Sequence, residues 1–134
     1  NVIVYRDKLY LIDFQDALEG PYLYDLVALL RDSYVAFTPD EVDGIARHYL
    51  AAREARGLWV PSFDALMQGF HLQALQRKLK DAGRFVYIDR VRGNPKFLPN
   101  IPRSLGYARE ALERLDGMDA ARAVLARHLP EHFG

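Results

Sequence analysis

Asn1 and Asp13 are the residues whose types and spacing most readily suggest chemistry. Two apolar runs, Val2-Ile3-Val4-Tyr5 and Leu9-Tyr10-Leu11-Ile12, flank the turn-like Arg6-Asp7-Lys8, and their β-branched and aromatic residues favour strands. A hairpin reversing around Asp7-Lys8 sets Arg6 opposite Leu9, Tyr5 opposite Tyr10 and Val2 opposite Asp13. Asn1 then lies beside Asp13 and Phe14 at the open end, where an amide oxygen and a carboxylate converge on one point. Hard oxygen ligands of this kind suit Mg²⁺, which keeps several waters and takes further oxygens from phosphates; two protein ligands suffice when a nucleotide supplies the rest. The plainer reading of the same pair is that both are turn residues at strand ends.

A second constellation is electrostatic. Residues 77–96 hold seven bases (Arg77, Lys78, Lys80, Arg84, Arg90, Arg92 and Lys96) against Asp81 and Asp89, whereas residues 1–60 hold ten acids against six bases. Such a basic run is either a solvated helix face or one wall of a groove for an anionic substrate. Other signals are weaker. His128 and His132 are four apart, but Pro130 lies between them; His48 and His71 lack zinc-ligand spacing; Gly20 and Gly57 are isolated, so no Gly-rich phosphate loop is present. Trp59, beside Val60-Pro61, reads as a core plug where two helices meet, and the seven Phe and eight Tyr read mostly as core.

The elements that must hold these residues are mostly helical. Leu23, Leu26, Val27 and Leu30 recur at i, i+3, i+4, i+7, with Pro21 suited to a first turn. Thr38-Pro39-Asp40-Glu41 is a capping box that opens a helix running towards Gly57. Ser62 caps a third helix, with Phe63, Leu66, Met67, Phe70 and Ala74 on one face and Gly83 as its bend or end. Gly93-Asn94-Pro95 is a turn; a fourth helix carries Ile101, Leu105, Ala108, Leu112 and Leu115; a last one spans about Asp119 to His128. Both strands of the hairpin are apolar throughout, so their two faces call for cover by helices or by a part outside this chain.

Bulk composition narrows the class. The 134 residues suit one domain, half are hydrophobic and 27% are charged, as in a soluble globular fold. Eighteen basic residues balance eighteen acidic ones, so no net field attracts nucleic acid or a membrane surface. Cysteine is absent, which excludes disulfides and thiolate metal sites and fits a reducing, cytoplasmic setting. No apolar run approaches the ~20 residues of a membrane span, and no basic n-region precedes a hydrophobic stretch. The chain opens at Asn1, without Met, directly on an apolar strand; a trimmed start, a missing leader or a fold that continues upstream each account for that.

The stretch Leu11-Ile12-Asp13-Phe14-Gln15-Asp16-Ala17-Leu18-Glu19-Gly20-Pro21, with Tyr24-Asp25-Leu26 and Arg31-Asp32 after it, resembles the aminoglycoside-phosphotransferase-like kinases. Within them it is most similar to bacterial kinases that phosphorylate N-acetylmuramate and N-acetylglucosamine at the anomeric hydroxyl, and Gln76-Arg77-Lys78-Leu79-Lys80 resembles that subgroup more loosely. The likeness fades after about Gly93. It implies a mainly α chain with a short N-terminal β-hairpin, the helical C-lobe of a protein-kinase-like fold. Residues 1–14 would form the metal-site hairpin and residues 21–134 a helical substrate subdomain. Asn1 would end the family's His-x-Asp-x-x-x-x-Asn loop and bind metal. Asp13 would match the metal-binding Asp of an Asp-Phe-Gly-like motif, with Gln15 in place of Gly. Asp25 would brace the catalytic loop. The base Asp and the nucleotide-gripping N-lobe would lie ahead of residue 1, leaving these residues alone without kinase activity.

The resemblance also implies phosphoryl transfer from ATP, with Mg²⁺, to a sugar hydroxyl. The basic run argues against polycationic aminoglycosides and against choline, and suits a carboxylate-bearing acceptor such as N-acetylmuramate. Arg77, Lys80 and Arg84 are the candidates on that side, with Asp32 as a hydroxyl acceptor and Tyr34 as a stacking surface. A kinase of the same fold acting on an aminoglycoside, choline or homoserine, and a non-catalytic kinase-like binding module, are the alternatives. The hairpin's apolar faces point to modest stability or self-association of the isolated chain.

Overall fold

The conformation of the N-terminal hairpin is decided at Arg6 and Asp7, which both adopt left-handed backbone angles, with φ of 50° and 59°. This is the geometry of a two-residue type I′ turn, whose twist matches that of the strands it joins. Strands β1 (Val2–Tyr5) and β2 (Lys8–Leu11) therefore pair with Tyr5 opposite Lys8 and Val2 opposite Leu11. The register differs by two residues from the one expected around Asp7-Lys8. A shift of two keeps every side chain on its face, and the Tyr5 and Tyr10 rings still meet, now diagonally, at 6.3 Å. The computed structural model describes residues 2–13, 15 and 18–134. Every residue of both strands is exposed, so the helical cover expected for the hairpin is not supplied by the described residues.

Helix α1 (Tyr24–Leu30) follows a turn in which the Tyr24 amide donates to the Pro21 carbonyl at 2.9 Å. Helix α2 (Pro39–Glu54) opens on the capping box: Thr38 Oγ1 accepts from the Glu41 amide at 3.3 Å, and Glu41 returns a bond to the Thr38 amide at 2.7 Å. The Thr38 amide and then its hydroxyl, both donating to Glu41 Oε2, hold the Glu41 carboxyl below its usual pKa. Helix α3 (Phe63–Arg92), capped by Ser62, runs straight through Gly83 to Gly93. The glycine that ends it is the one at φ 64°, where the Gly93 amide donates to Asp89 O and the Asn94 amide to Ile88 O, a left-handed cap. Gly83 lies between buried Ala82 and Phe85, whose ring stacks on Phe97 at 5.7 Å; this tertiary packing outweighs the ~1 kcal/mol helix penalty of one glycine.

A six-residue 3₁₀ segment, Pro95–Asn100, leads into α4 (Ile101–Glu113), followed by α5 (Asp119–His128) and α6 (Pro130–Phe133). The 30-residue α3 is the spine: it packs against α4 along much of its length and against α1 near its start. Leu26, Val27 and Leu30 of α1, Val42 and Ala46 of α2, Leu66, Phe70 and Ala74 of α3, and Ala108, Ala111 and Leu112 of α4 gather in one core. Gly69 admits the close approach of α1, since a Cβ there would come within 2.8 Å of the Leu23 side chain.

Aromatic placement departs from expectation at the tyrosines and the tryptophan. Phe70 is fully buried, but Tyr22, Tyr24, Tyr34 and Tyr87 are exposed, and Trp59 is 66% exposed rather than a core plug. The Arg53 guanidinium holds the Trp59 carbonyl at 3.0 and 3.1 Å, fixing the loop so that the indole rests edge-on against Tyr22 at the surface.

Candidate functional site

Two neighbourhoods contain the residues singled out from sequence. The first is the end of the hairpin. Asp13 lies two residues beyond the last paired residue of β2, exposed and at φ 59°. Aspartate tolerates the left-handed region better than most residues, and such backbone is concentrated at functional sites. Gln15 Nε2 donates to Asp13 Oδ1 at 2.7 Å and so helps orient the carboxylate. In the observed register Val2 faces Leu11, not Asp13. Asn1, the second expected ligand, lies outside the described residues, as do Phe14 and Asp16. The exposed Asp13 carboxylate has the hard-donor chemistry that Mg²⁺ takes, and among the described residues no group of three or more His, Cys, Asp or Glu converges on one point. Asp25 is exposed in the first turn of α1, where a carboxylate suits the positive end of the helix.

The second neighbourhood joins the loop after α1 to α3 and α4. Asp32 Oδ1 accepts from the amides of Tyr34 (2.6 Å) and Val35 (3.0 Å), closing a tight turn that leaves the Tyr34 ring 64% exposed. Between them Ser33 is buried and held from three directions. Lys78 Nζ donates to its Oγ at 3.2 Å, Ser104 Oγ lies 3.4 Å from it, and Arg103 donates to its carbonyl at 3.2 Å. Lys78 itself is 2% exposed and also bonds Asp81 at 3.1 Å. Asp81 in turn receives Lys80 at 3.2 Å and Arg77 at 4.0 Å, so three cations share one carboxylate and the cluster keeps a positive excess.

The five substrate candidates therefore fall unevenly. Asp32 and Tyr34 are on the braced turn, and Arg77 and Lys80 are tied to Asp81 on α3. Arg84 is exposed one helical turn beyond Lys80, on the same face. The Arg77 guanidinium is committed inward: it lies 4.5 Å over the Tyr24 ring, and its Nη1 is buried without a partner among the described residues. Tyr24 also lines an open groove of about 670 Å³ between Pro21–Tyr24 and the Gly69, Leu72, Gln73 and Gln76 face of α3.

Several residues here escaped the sequence reading. Lys78 was one cation of a basic run, yet its spacing from Phe70 and Ala74 puts it on the buried stripe of α3, and that spacing is the signal that could have found it. Arg31, nearly buried, pairs with Glu110 at 2.9 Å and lies over Phe70 and Tyr107. His71 is buried, its Nδ1 without a partner among the described residues, and burial, reinforced by Arg114 and Arg31, lowers its pKa to about 4.

Comparison with known proteins places this geometry in context. The model of the phosphotransferase enzyme family matches residues 1–59. An N-acetylmuramate/N-acetylglucosamine kinase of Neisseria meningitidis is 39% identical over 126 residues, 93% of this chain and 38% of that protein. Kinases of the same name from Pseudomonas putida and Pseudomonas aeruginosa are 35% and 33% identical, over 77% and 85% of this chain and 31% and 34% of theirs. The chain thus spans about a third of the length of these relatives. Similarity over 93% of the chain carries well past Gly93, where the likeness was expected to fade. No solved structure gives a significant match.

Proposed function

We propose, from its kinship with the phosphotransferase enzyme family and with kinases named for amino sugars, that this chain is the C-terminal part of a longer ATP-dependent kinase acting on N-acetylmuramate or N-acetylglucosamine. The observation that carries this reading is similarity along most of the chain to relatives of one name, each about two and a half times as long. In this reading the helices form the acceptor-side lobe, and the nucleotide-gripping lobe and the base Asp belong to the preceding part. The reaction is cytoplasmic and serves the recycling of cell-wall sugars.

Asp13 and Asn1 would hold Mg²⁺, which supplies charge neutralisation at the β- and γ-phosphates when bound. The Gln15 amide, donating to Oδ1, helps to orient the Asp13 carboxylate. Asp25 steadies the loop that carries the base. On the acceptor side, Tyr34 offers an exposed ring to a sugar face, and Asp32 accepts from a hydroxyl with the oxygen not committed to the turn. Lys80 and Arg84 meet the acceptor carboxylate, while Arg77, bound to Asp81 and Tyr24, acts mainly by its charge.

The test is an acceptor panel on the intact kinase with ATP: N-acetylmuramate, N-acetylglucosamine, an aminoglycoside, choline and homoserine. Turnover of the two amino sugars alone is expected, and preference for a cationic acceptor would end the reading. The carboxylate assignment has its own check. Arg84→Ala should raise KM about tenfold for N-acetylmuramate and about twofold for N-acetylglucosamine; equal effects would remove it.

A further inference from the structure

We infer that Lys78 is a positioning residue for the acceptor: from inside the protein it fixes, through Ser33, the turn that presents Asp32 and Tyr34. This rests on the acceptor-side reading given above, because it names what holds that site in shape.

Lysine is among the residues least often fully buried, and removing an ammonium from water is unfavourable unless it is paired and hydrogen-bonded. Lys78 is both. Its Nζ reaches Asp81 on its own helix at 3.1 Å and Ser33 Oγ on the loop after α1 at 3.2 Å. A well-packed apolar residue could fill such a position with equal or greater stability. An apolar residue could not grip the loop, because Ser33 Oγ needs a polar partner and its neighbour Ser104, at 3.4 Å, is a longer one. Ser33 lies between Asp32 and Tyr34, two residues of the proposed acceptor site. Asp32 Oδ1 closes the turn over the amides of Tyr34 and Val35, and Arg103 holds the Ser33 carbonyl. The turn is thus tied to α3 by Lys78 and to α4 by Arg103 and Ser104. Loss of the Lys78 tie frees the turn on the side facing the basic cluster of α3, where Lys80 and Asp81 lie.

The experiment is steady-state kinetics on the intact kinase with Lys78→Met, Ser33→Ala and the double variant, with melting temperatures measured alongside. Both single variants should raise acceptor KM about tenfold while kcat and the KM for ATP stay within about twofold, and the double variant should be no worse than the poorer single. A lowered melting temperature with unchanged acceptor KM would overturn the assignment. Should Lys78→Met not fold, Ser33→Ala decides it alone, since it removes the grip on the loop and leaves the Lys78–Asp81 pair. If the wild-type enzyme takes an acceptor other than an amino sugar, the sugar reading fails, and the same KM comparison with that acceptor still judges Lys78. Amide exchange in the intact protein gives an answer independent of activity. The Tyr34 and Val35 amides should exchange about tenfold faster in Ser33→Ala, and unchanged protection would contradict the proposal.

Discussion

The hairpin and the helical body use apolar residues in opposite ways. In β1 and β2 every side chain is exposed, with Val4 at 70% and Leu9 at 73%, whereas Val27, Leu30, Leu66 and Phe70 in the body are fully buried. The hairpin holds its shape through a local turn and a cross-strand ladder; the body holds its shape through contacts between α1, α3 and α4 that are distant in sequence. The chemistry divides the same way. Asp13 stands at the end of the exposed hairpin, while the proposed acceptor-side cluster is wired into the packed body through buried Lys78 and Ser33. The contrast teaches that the two halves of the proposed site should fail differently: the hairpin half in turnover, the body half in binding and stability.

The largest effect should come from the hairpin end. Asp13→Ala in the proposed full-length kinase is expected to lower kcat by about a thousandfold with the melting temperature nearly unchanged, because an exposed carboxylate contributes charge placement rather than packing. A large loss of stability instead would move Asp13 into the structural group. Next is Phe70→Ala, which should destabilise by about 4 kcal/mol in urea unfolding, against less than about 0.5 kcal/mol for Val4→Thr in the isolated chain. Comparable losses would erase the distinction between the two regions. The exposed strands also predict self-association of the isolated chain, which Val4→Lys with Leu9→Lys should abolish in sedimentation velocity.

A smaller effect concerns pH. His71 has a folded pKa of about 4, below its unfolded value near 6.5, so between these the unfolded chain binds the extra proton. Stability is full above pH 6.5 and is lost as pH falls through that window, by roughly 3 kcal/mol. His71→Leu should flatten the profile between pH 6.5 and 4; an unchanged slope would show that other groups set it. Thr38→Ala, which removes the α2 cap, should cost about 1 kcal/mol.

Much of the body was legible in the sequence because its signals are local. The capping box at Thr38, the Ser62 cap and the Asp119–His128 helix stand where spacing and capping chemistry put them. What escaped depended on partners far along the chain or on unusual backbone. Arg-Asp is not a typical type I′ pair, so the turn was expected one residue out, which puts the register out by two. Gly83 continues a helix that Phe97 and neighbouring packing hold, and Lys78, though its spacing sets it on the buried stripe of α3, meets Ser33 only through the fold. Asp13 was singled out by its type and motif, but the register pairs Val2 with Leu11 and leaves Asp13 beyond the ladder.

The most direct measurement is ³¹P NMR of the product formed by the intact kinase from ATP and N-acetylmuramate, run beside the Asp13→Ala variant. The wild-type enzyme should give a sugar 1-phosphate signal, and the variant almost none at equal folded concentration. No sugar phosphate from the wild type, or equal product from both proteins, would contradict the account.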